Sequence, residues 1–359
     1  MPARPTSTMA QLEPISAKPV ATLDEVARVA GVSRATVSRV VNGSPKVSPD
    51  VRRSVEKAID RLGYVPNRAA RSLVTRRSDS IALVITEPTT LLFSDPFFPR
   101  LVRGVSAALS TRDIQLVLLM PDDMDDEERT VRYLTAGHVD GVILVSLHGD
   151  DPLPEQLATR HIPSVVLGRP PRGVDIDFVD ADNRDGGRRA TAHLLANGRE
   201  RIATITGPRD MGAGIDRLAG YRDALADAGI EVDEGLIATG DFTHPGGEAA
   251  MERLLRDRPD IDAVFCASDL MAAAALGVLQ ASGRRVPEDV AVVGYDDSPI
   301  AATTRPALSS VRQPVEEMGR EMVHLLTGHI ERTDGRVPRH VILATELIAR
   351  ASSAGRAMR

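Results

Sequence analysis

Apolar and polar positions recur with two different periods along this chain, and the change of period divides it. Residues 22–42 read TLDEVARVAGVSRATVSRVVN. Leu23, Val26, Ala27 and Ala30 fall at i, i+3, i+4 and i+7, a single apolar stripe along a short helix. Thr22 and Glu25 have the T-x-x-E spacing of a capping box, in which side chains and backbone at a helix start satisfy one another. Gly31 supplies a turn and Val32 packs beneath it. A second helix then buries Val37, Val40 and Val41, while Ser33, Arg34, Thr36, Ser38, Arg39 and Asn42 stay polar. This pattern predicts a helix-turn-helix, which sets its second helix in a DNA major groove. A plain helical hairpin would share the apolar stripe, but a short, hydrogen-bonding, cationic outer face suits base edges and phosphates. A third helix follows, with Ser48 as N-cap and Pro49 at its first position. It turns Val51, Val55, Ala58, Ile59 and Leu62 inward and stops at Gly63. A unit this small needs support from DNA or a partner.

Pro66 and Asn67 open a stretch at 68–74 that is helix-compatible but too short to be stable alone, and 75–80 is polar and basic. Its composition fits a solvated linker; the sharper reading is a hinge that orders only on DNA. From Ile81 onward the texture changes. IALVI, QLVLLM, GVILVS and PSVVLG read as strands, and a second series follows in RIATITG, LIATG, AVFCAS and VAVVGYD. Amphipathic stretches such as 97–109, 126–136, 216–228, 246–256 and 271–281 lie between them. Strands alternating with helices imply parallel sheets covered on both faces. Two such series predict two lobes with a cleft between them, where loops at the carboxyl ends of the strands meet a ligand. The expected fold is therefore an all-α helix-turn-helix head on an α/β two-lobe body.

Charge sharpens this division. The whole chain of 359 residues has a net charge of −6, which by itself argues against nucleic acid. Residues 1–77 nevertheless hold 14 Lys+Arg against 6 Asp+Glu, a net of +8, and the remainder holds 30 against 44, a net of −14. A basic head on an acidic body is expected when only the head meets phosphate. The one cysteine, Cys266, sits in an apolar run, so a disulfide framework is excluded and a buried inert thiol is expected. No apolar stretch approaches the roughly 18 residues of a membrane span. Residues 1–20 lack the apolar centre of a signal peptide and read as a disordered leader, so a cytoplasmic protein with no membrane contact is expected.

Several separated motifs, in order, carry a family resemblance. The head contains V-A-x-x-A-G-V-S-x-x-T-V-S-R-V-V-N, then V-S, then G-Y-x-P-N-R-x-A-R-S-L at 63–73. The body contains D-P-F-F at 95–98, D-G-V-I at 140–143, D-N-x-x-G-G at 182–187 and R-L-A-G-Y at 217–221, followed by A-S-D at 267–269 and V-G-Y-D-D at 293–297. In these residues the chain resembles the lac repressor family of bacterial transcription regulators over nearly its whole length after the leader.

The resemblance implies a homodimer that sets two recognition helices on a palindromic operator of double-stranded DNA. Arg34, Ala35 and Arg39 match the residues that read bases; Thr22, Ser33, Thr36, Ser38 and Asn42 are candidates for phosphate. In the hinge motif Asn67, Arg68, Ala70 and Leu73 are candidates for DNA contact, Leu73 as a wedge in the minor groove. The body implied is similar to a periplasmic sugar-binding protein and senses a small molecule, a sugar by base rate. Arg217 and Asp296 match the family's ligand-holding pair, Phe98 and Phe242 match cleft-lining aromatics, and Arg169, Ser268 and Asp269 are weaker candidates at strand ends. Asp182 and Asn183 are assigned to the lobe hinge. The implied organisation is a leader at 1–20, the helix-turn-helix at 21–65, a hinge helix and linker at 66–78, an effector-binding and dimerisation body at 79–351 and a tail at 352–359. Within the body the N-lobe takes about 79–179 and 314–337, and the C-lobe about 180–313 and 338–351. The tail is too short for the heptad bundle that would make a tetramer.

Three other readings compete. An enzyme would need a catalytic constellation, and the glycine loop GPRDMGAGIDR places Arg217 where G-x-G-x-x-G requires its third glycine. No Walker lysine, H-E-x-x-H or G-x-S-x-G occurs, so neither an enzyme nor a cofactor or metal site is expected. A transported sugar-binding protein would carry a signal peptide and no basic head. A purine- or nucleoside-dependent corepressor would match the family's purine branch, which has an arginine and a threonine where this chain has Met211 and Ala213.

Overall fold

A computed structural model describes residues 21–65, 77–121, 124–149, 151–170, 174–331 and 337–354. The leader and the hinge candidates Asn67, Arg68, Ala70 and Leu73 lie outside the described residues. The chain forms two compact units that divide between Arg77 and Ser78.

In the first unit, α1 (Leu23–Ala30), α2 (Arg34–Val41) and α3 (Pro49–Leu62) pack around Val26, Val37 and Val55, none of which reaches solvent. Each such burial is worth about 1.5–3 kcal/mol over exposure. The capping box forms: Glu25 N donates to Thr22 Oγ1 at 3.3 Å and Thr22 N to Glu25 Oε2 at 2.7 Å. Gly31 caps α1 at φ +69°, a left-handed conformation that side-chain-bearing residues adopt at a cost, and this reverses the chain into α2. Two details differ from expectation. Val41 is half-buried at the end of α2, and Ser48 occupies the N-cap of α3 without a side-chain bond, its place partly taken by Pro49, which has no N–H to satisfy.

Among its described residues the second unit has twelve strands: β1 (Ser80–Ile85), β2 (Gln115–Leu119), β3 (Gly141–Val145), β4 (Ser164–Leu167), β5 (Asp177–Ala181), β6 (Ile202–Thr206), β7 (Ile237–Thr239), β8 (Ala263–Cys266), β9 (Ala291–Asp296), β10 (Ser309–Arg312), β11 (His340–Leu343) and β12 (Glu346–Ile348). They make two six-stranded sheets, β11-β5-β4-β3-β1-β2 and β12-β10-β9-β8-β6-β7. All described pairings are parallel except β10 with β12. The first sheet is covered by α4 (Thr89–Ser94), α5 (Phe97–Ser110), α6 (Met124–Thr135), α7 (Leu153–Thr159) and, late in the chain, α13 (Val315–Glu331). The second is covered by α8 (Asn183–Ala196), α9 (Gly212–Asp227), α10 (His244–Asp257), α11 (Asp269–Ala281) and α12 (Pro299–Thr303). Central strands such as β3 and β8 are buried along their whole length, as sheets sandwiched between helices require. Cys266 is buried in β8, and that burial pushes its thiol up.

The chain crosses between the lobes after β5, after β10 and between β11 and β12. This corrects the expected lobe limits. β5 carries the first lobe through Ala181, and β11 pairs with β5 in the first sheet, so the segment around 340–343 does not belong to the second lobe. The reason is physical: a four-residue edge strand is named only by its hydrogen-bonding partner, which lies far away in sequence. The body also extends past 351. Ser352 and Ser353 are fully buried; Ser352 Oγ donates to Val292 O at 2.6 Å, and Ser353 Oγ lies 2.6 Å from Ser309 Oγ.

Candidate DNA-reading face and effector cleft

On the head, Ser33, Arg34, Ala35, Arg39 and Asn42 are exposed along α2 and its ends, with Thr36 and Ser38 half-buried beside them and Thr22 exposed at the start of α1. Several of the hydroxyls already have local work. Ser33 Oγ accepts from Thr36 N at 3.2 Å and caps α2, and Asn42 Nδ2 donates to Ser38 Oγ at 3.4 Å. Arg34 reaches Asp24 at 3.8 Å in an exposed pair, which solvent screens to little net value. The two arginines thus project from a helix whose inner face is fixed by Val37 and Val40.

In the body, a cavity enclosing roughly 810 Å³ with its open mouth lies between the two sheets, at the carboxyl ends of their strands. Phe98, Arg169, Arg217, Phe242, Ser268 and Asp296 all line it. Asp269 does not. It is 1% exposed, and its carboxylate is consumed by Ser298 N at 2.7 Å and Ser310 Oγ at 2.6 Å, which tie the β9–α12 turn to β10. The strand-end position was right in sequence, but the side chain turns into the lobe.

Arg217 organises the cleft. Its Nε donates to Asn183 Oδ1 at 2.8 Å, its Nη1 to Ala267 O at 2.5 Å, and Nη1 lies 3.8 Å from Asp296 Oδ1. Its guanidinium also sits 5.6 Å from the centre of the Phe242 ring. Gln313 Nε2 donates to Asp296 Oδ1 at 2.6 Å. Sequence spacing explains why these residues converge. Arg217 is in the second turn of α9, which starts at Gly212 and not near 216 because the glycine pair forms its first turn. A Cβ on Gly214 would overlap Pro208 O, so only glycine lets the β6–α9 loop close this tightly. Phe242 and Asp296 both adopt left-handed backbone, φ +65° and +106°, conformations that cost about 1–3 kcal/mol for non-glycine residues and cluster at ligand sites.

The cleft is acidic. Glu87, Asp95 and Asp180 line it beside Asp296, and none of the three was singled out from the sequence. Burial pushes the Asp95 carboxyl up to about 7, with repulsion from Asp296 of the opposite lobe adding to it. Burial also raises Asp180 to about 6 and holds Asp296 above the usual carboxylate range. Asp95 opens the D-P-F-F motif, two residues before the aromatic pair. Asp180 lies on β5, a strand whose alternation DFVDA is interrupted by two acids. Asn183, assigned to the hinge, stands at the crossover and holds Arg217; Asp182 caps α8, accepting from Asp185 N at 3.0 Å.

A helix-turn-helix head joined to a two-lobed, ligand-cavity body defines a DNA-binding regulator with a sensor domain. Residues 22–67 match the bacterial regulatory proteins of the lacI family, and residues 191–353 match the periplasmic binding protein-like domain. The HTH-type transcriptional regulator CelR of Thermobifida fusca is 55% identical over 336 residues, 92% of this chain and 98% of the relative. The solved CelR–cellobiose complex is 53% identical with a TM-score of 0.74, covering 92% of this chain and 99% of that one. The lac repressor dimer bound to operator and an anti-inducer superposes with a TM-score of 0.81 at 27% identity, over 93% and 99% of the two chains. The chain belongs to the lacI family and is a DNA-binding transcriptional regulator. Among the described residues no helix is long and apolar enough to cross a membrane.

Proposed function

We propose that this protein is a cytoplasmic, non-enzymatic repressor of carbohydrate uptake or catabolism genes. It holds a palindromic operator as a homodimer and leaves it when cellobiose, or a close β-linked glucose disaccharide, enters the cleft. The observation that carries this reading is the cavity built on Arg217, Asp296 and Asn183 and faced by Phe98 and Phe242. Paired donors and acceptors suit adjacent sugar hydroxyls, and apolar rings suit a sugar face. CelR, solved with cellobiose, shares more than half its residues with this chain. Met211 and Ala213 line the same cavity with apolar side chains, which removes polar groups a purine would use.

In this reading Arg34, Ala35 and Arg39 meet base edges; Thr22, Ser33, Thr36, Ser38 and Asn42 meet the backbone; and Asn67, Arg68, Ala70 and Leu73 form the minor-groove hinge. Arg169 and Ser268 complete the effector site. Ligand-driven closure of the lobes shifts the dimer interface and parts the paired hinges, a coupling typically of 1–3 kcal/mol. The test is a thermal-shift screen of the full-length protein with cellobiose, ribose and hypoxanthine, followed by binding to a duplex selected from a random library. Cellobiose should raise the melting temperature and weaken DNA binding. Stabilisation by hypoxanthine alone, with tighter DNA binding, would replace the inducer reading with the corepressor.

A further inference from the structure

At the rim of the cleft, outside the residues that line the cavity, one imidazole bridges the lobes. His148 follows β3 in the first lobe; its Nε2 lies 3.3 Å from Glu87 Oε1 of the β1–α4 loop and its Nδ1 lies 3.0 Å from Asp210 Oδ2 of the β6–α9 loop in the second lobe. Beside it Gly149 N donates to Asp210 O at 3.0 Å, so main chain and side chain cross the gap together. A neutral imidazole has one N–H and could donate to only one of these carboxylates; the ring that donates to both is the imidazolium. We infer that Glu87, His148 and Asp210 form a cross-cleft latch that holds the effector site closed, with His148 and Asp210 acting as positioning residues for effector capture.

The charges around the ring all favour the latch. Glu87 is 8% exposed and Asp210 is exposed at the rim. Asp151, on the same loop as His148, adds a third carboxylate whose charge the ring feels, and Asp95 stands close enough to Glu87 to feel its charge. The Glu87 bond, with Asp210 behind it, raises His148 to about 9 against the partial burial of the ring. Opening the lobes removes Asp210 and leaves Glu87 and Asp151, so the closed form, which has all three, binds the proton more tightly. Closure is therefore favoured below the open-form value and weakens as pH rises through about 9. A second ion pair, Arg169 with Asp216, also crosses the cleft.

The latch rests on the cleft being the effector site, but its first test needs no effector. Spin labels on cysteines replacing Glu155 on α7 and Glu248 on α10 report the inter-lobe distance in full-length protein diluted into unlabelled protein. Cys266 is buried and escapes labelling. Wild type should give a short distance at about pH 7 that lengthens above about pH 9.5. Asp210→Asn should give the long distance at both, and Asp210→Glu should restore the short one. Cellobiose affinity of Asp210→Asn should fall about tenfold at neutral pH and lose the decline that wild type shows above about pH 9, one such factor corresponding to 1.4 kcal/mol. Identical distance distributions for wild type and Asp210→Asn overturn the latch. Distances that respond while cellobiose binds neither protein leave the latch standing and overturn the sugar assignment.

Discussion

The guanidinium carbon of Arg217 lies 3.6 Å from the centre of the Tyr295 ring. Neighbouring residues on a strand point to opposite faces, yet Asp296, next to Tyr295 on β9, also addresses Arg217. The left-handed φ of +106° at Asp296 breaks the alternation and lets ring and carboxylate meet the same cation. Arg217 is only 5% exposed, so ring, carboxylate, Asn183 and the Ala267 carbonyl together replace the water it has lost. A cation over a desolvated aromatic face contributes about 2 kcal/mol.

Arg217→Ala should therefore damage both stability and sensing. Removing one partner of a buried charge pair costs about 3–5 kcal/mol, because the other is left uncompensated. The melting temperature of the full-length protein should drop and cellobiose should no longer raise it. Arg217→Lys supplies charge without the planar fork, so it should recover part of the stability but not the response. A lysine variant with wild-type affinity would show that charge alone, and not the fork, does the work.

Asp296→Asn keeps the shape and removes the charge. Gln313 still has an oxygen to donate to, but sugar hydroxyls lose a carboxylate acceptor. Hydrogen bonds to charged groups are worth about 1.5–3 kcal/mol, so cellobiose affinity measured by calorimetry should fall about 10- to 150-fold. Operator affinity without effector should stay within about threefold, since the head is a separate unit. Unchanged cellobiose affinity would take Asp296 out of the site.

The parts of this molecule that were legible in its sequence are those governed by local rules. The capping box of Thr22 and Glu25, the Gly31 turn and the inward Val26, Val37 and Val55 all follow from spacings of seven residues or fewer, and each forms as spaced. Strands such as β3 and β8 are apolar throughout and announce themselves. What stayed hidden depends on distant pairing. β11 joins β5 across more than 150 residues, and nothing in HVIL names that partner. The cleft acids Glu87, Asp95 and Asp180 sit at ends of strands and loops where polar residues are ordinary, and they become a cluster only when two lobes face each other. Asp269 shows the converse: it stands at a strand end, but two donors from β10 and the β9–α12 turn draw its carboxylate inward.

The proposed base reading and backbone contact can be separated at Arg39 and Ser33. Arg39 is exposed on α2, from which a guanidinium can pair with guanine for about 1–3 kcal/mol of discrimination. Arg39→Ala should weaken binding to the selected operator far more than to a scrambled duplex in fluorescence anisotropy. Ser33→Ala loses a helix cap worth about 1 kcal/mol as well as the proposed phosphate contact, so it should weaken both duplexes alike and lower the melting temperature of the head. Equal losses on both duplexes for Arg39→Ala would reassign it to the phosphates.

Between about pH 5 and 8 the stability of the ligand-free protein should fall, and Asp95 should account for part of the slope. Burial, reinforced by Asp296 and Glu87, raises Asp95 to about 7, whereas an unfolded aspartate titrates near about 3.9. The folded state therefore holds the proton more tightly. Its stabilising contribution is complete below the unfolded value and is lost as pH rises through about 7. Asp180, raised to about 6, acts with the same sign slightly lower. Carboxylates held low by arginines, such as Glu316 at about 2 beside Arg100, act with the opposite sign but titrate below this window. Asp95→Asn cannot ionise, so its melting temperature should decline less steeply across the window and exceed the wild-type value at the alkaline end. Because sugar hydroxyls donating to ionised Asp95 favour loss of its proton, cellobiose should release protons at about pH 6.5, read as a buffer-dependent heat in calorimetry. Parallel melting curves for wild type and Asp95→Asn would mean that Asp95 is ionised in the empty cleft and that the repulsion with Asp296 is relieved by other means.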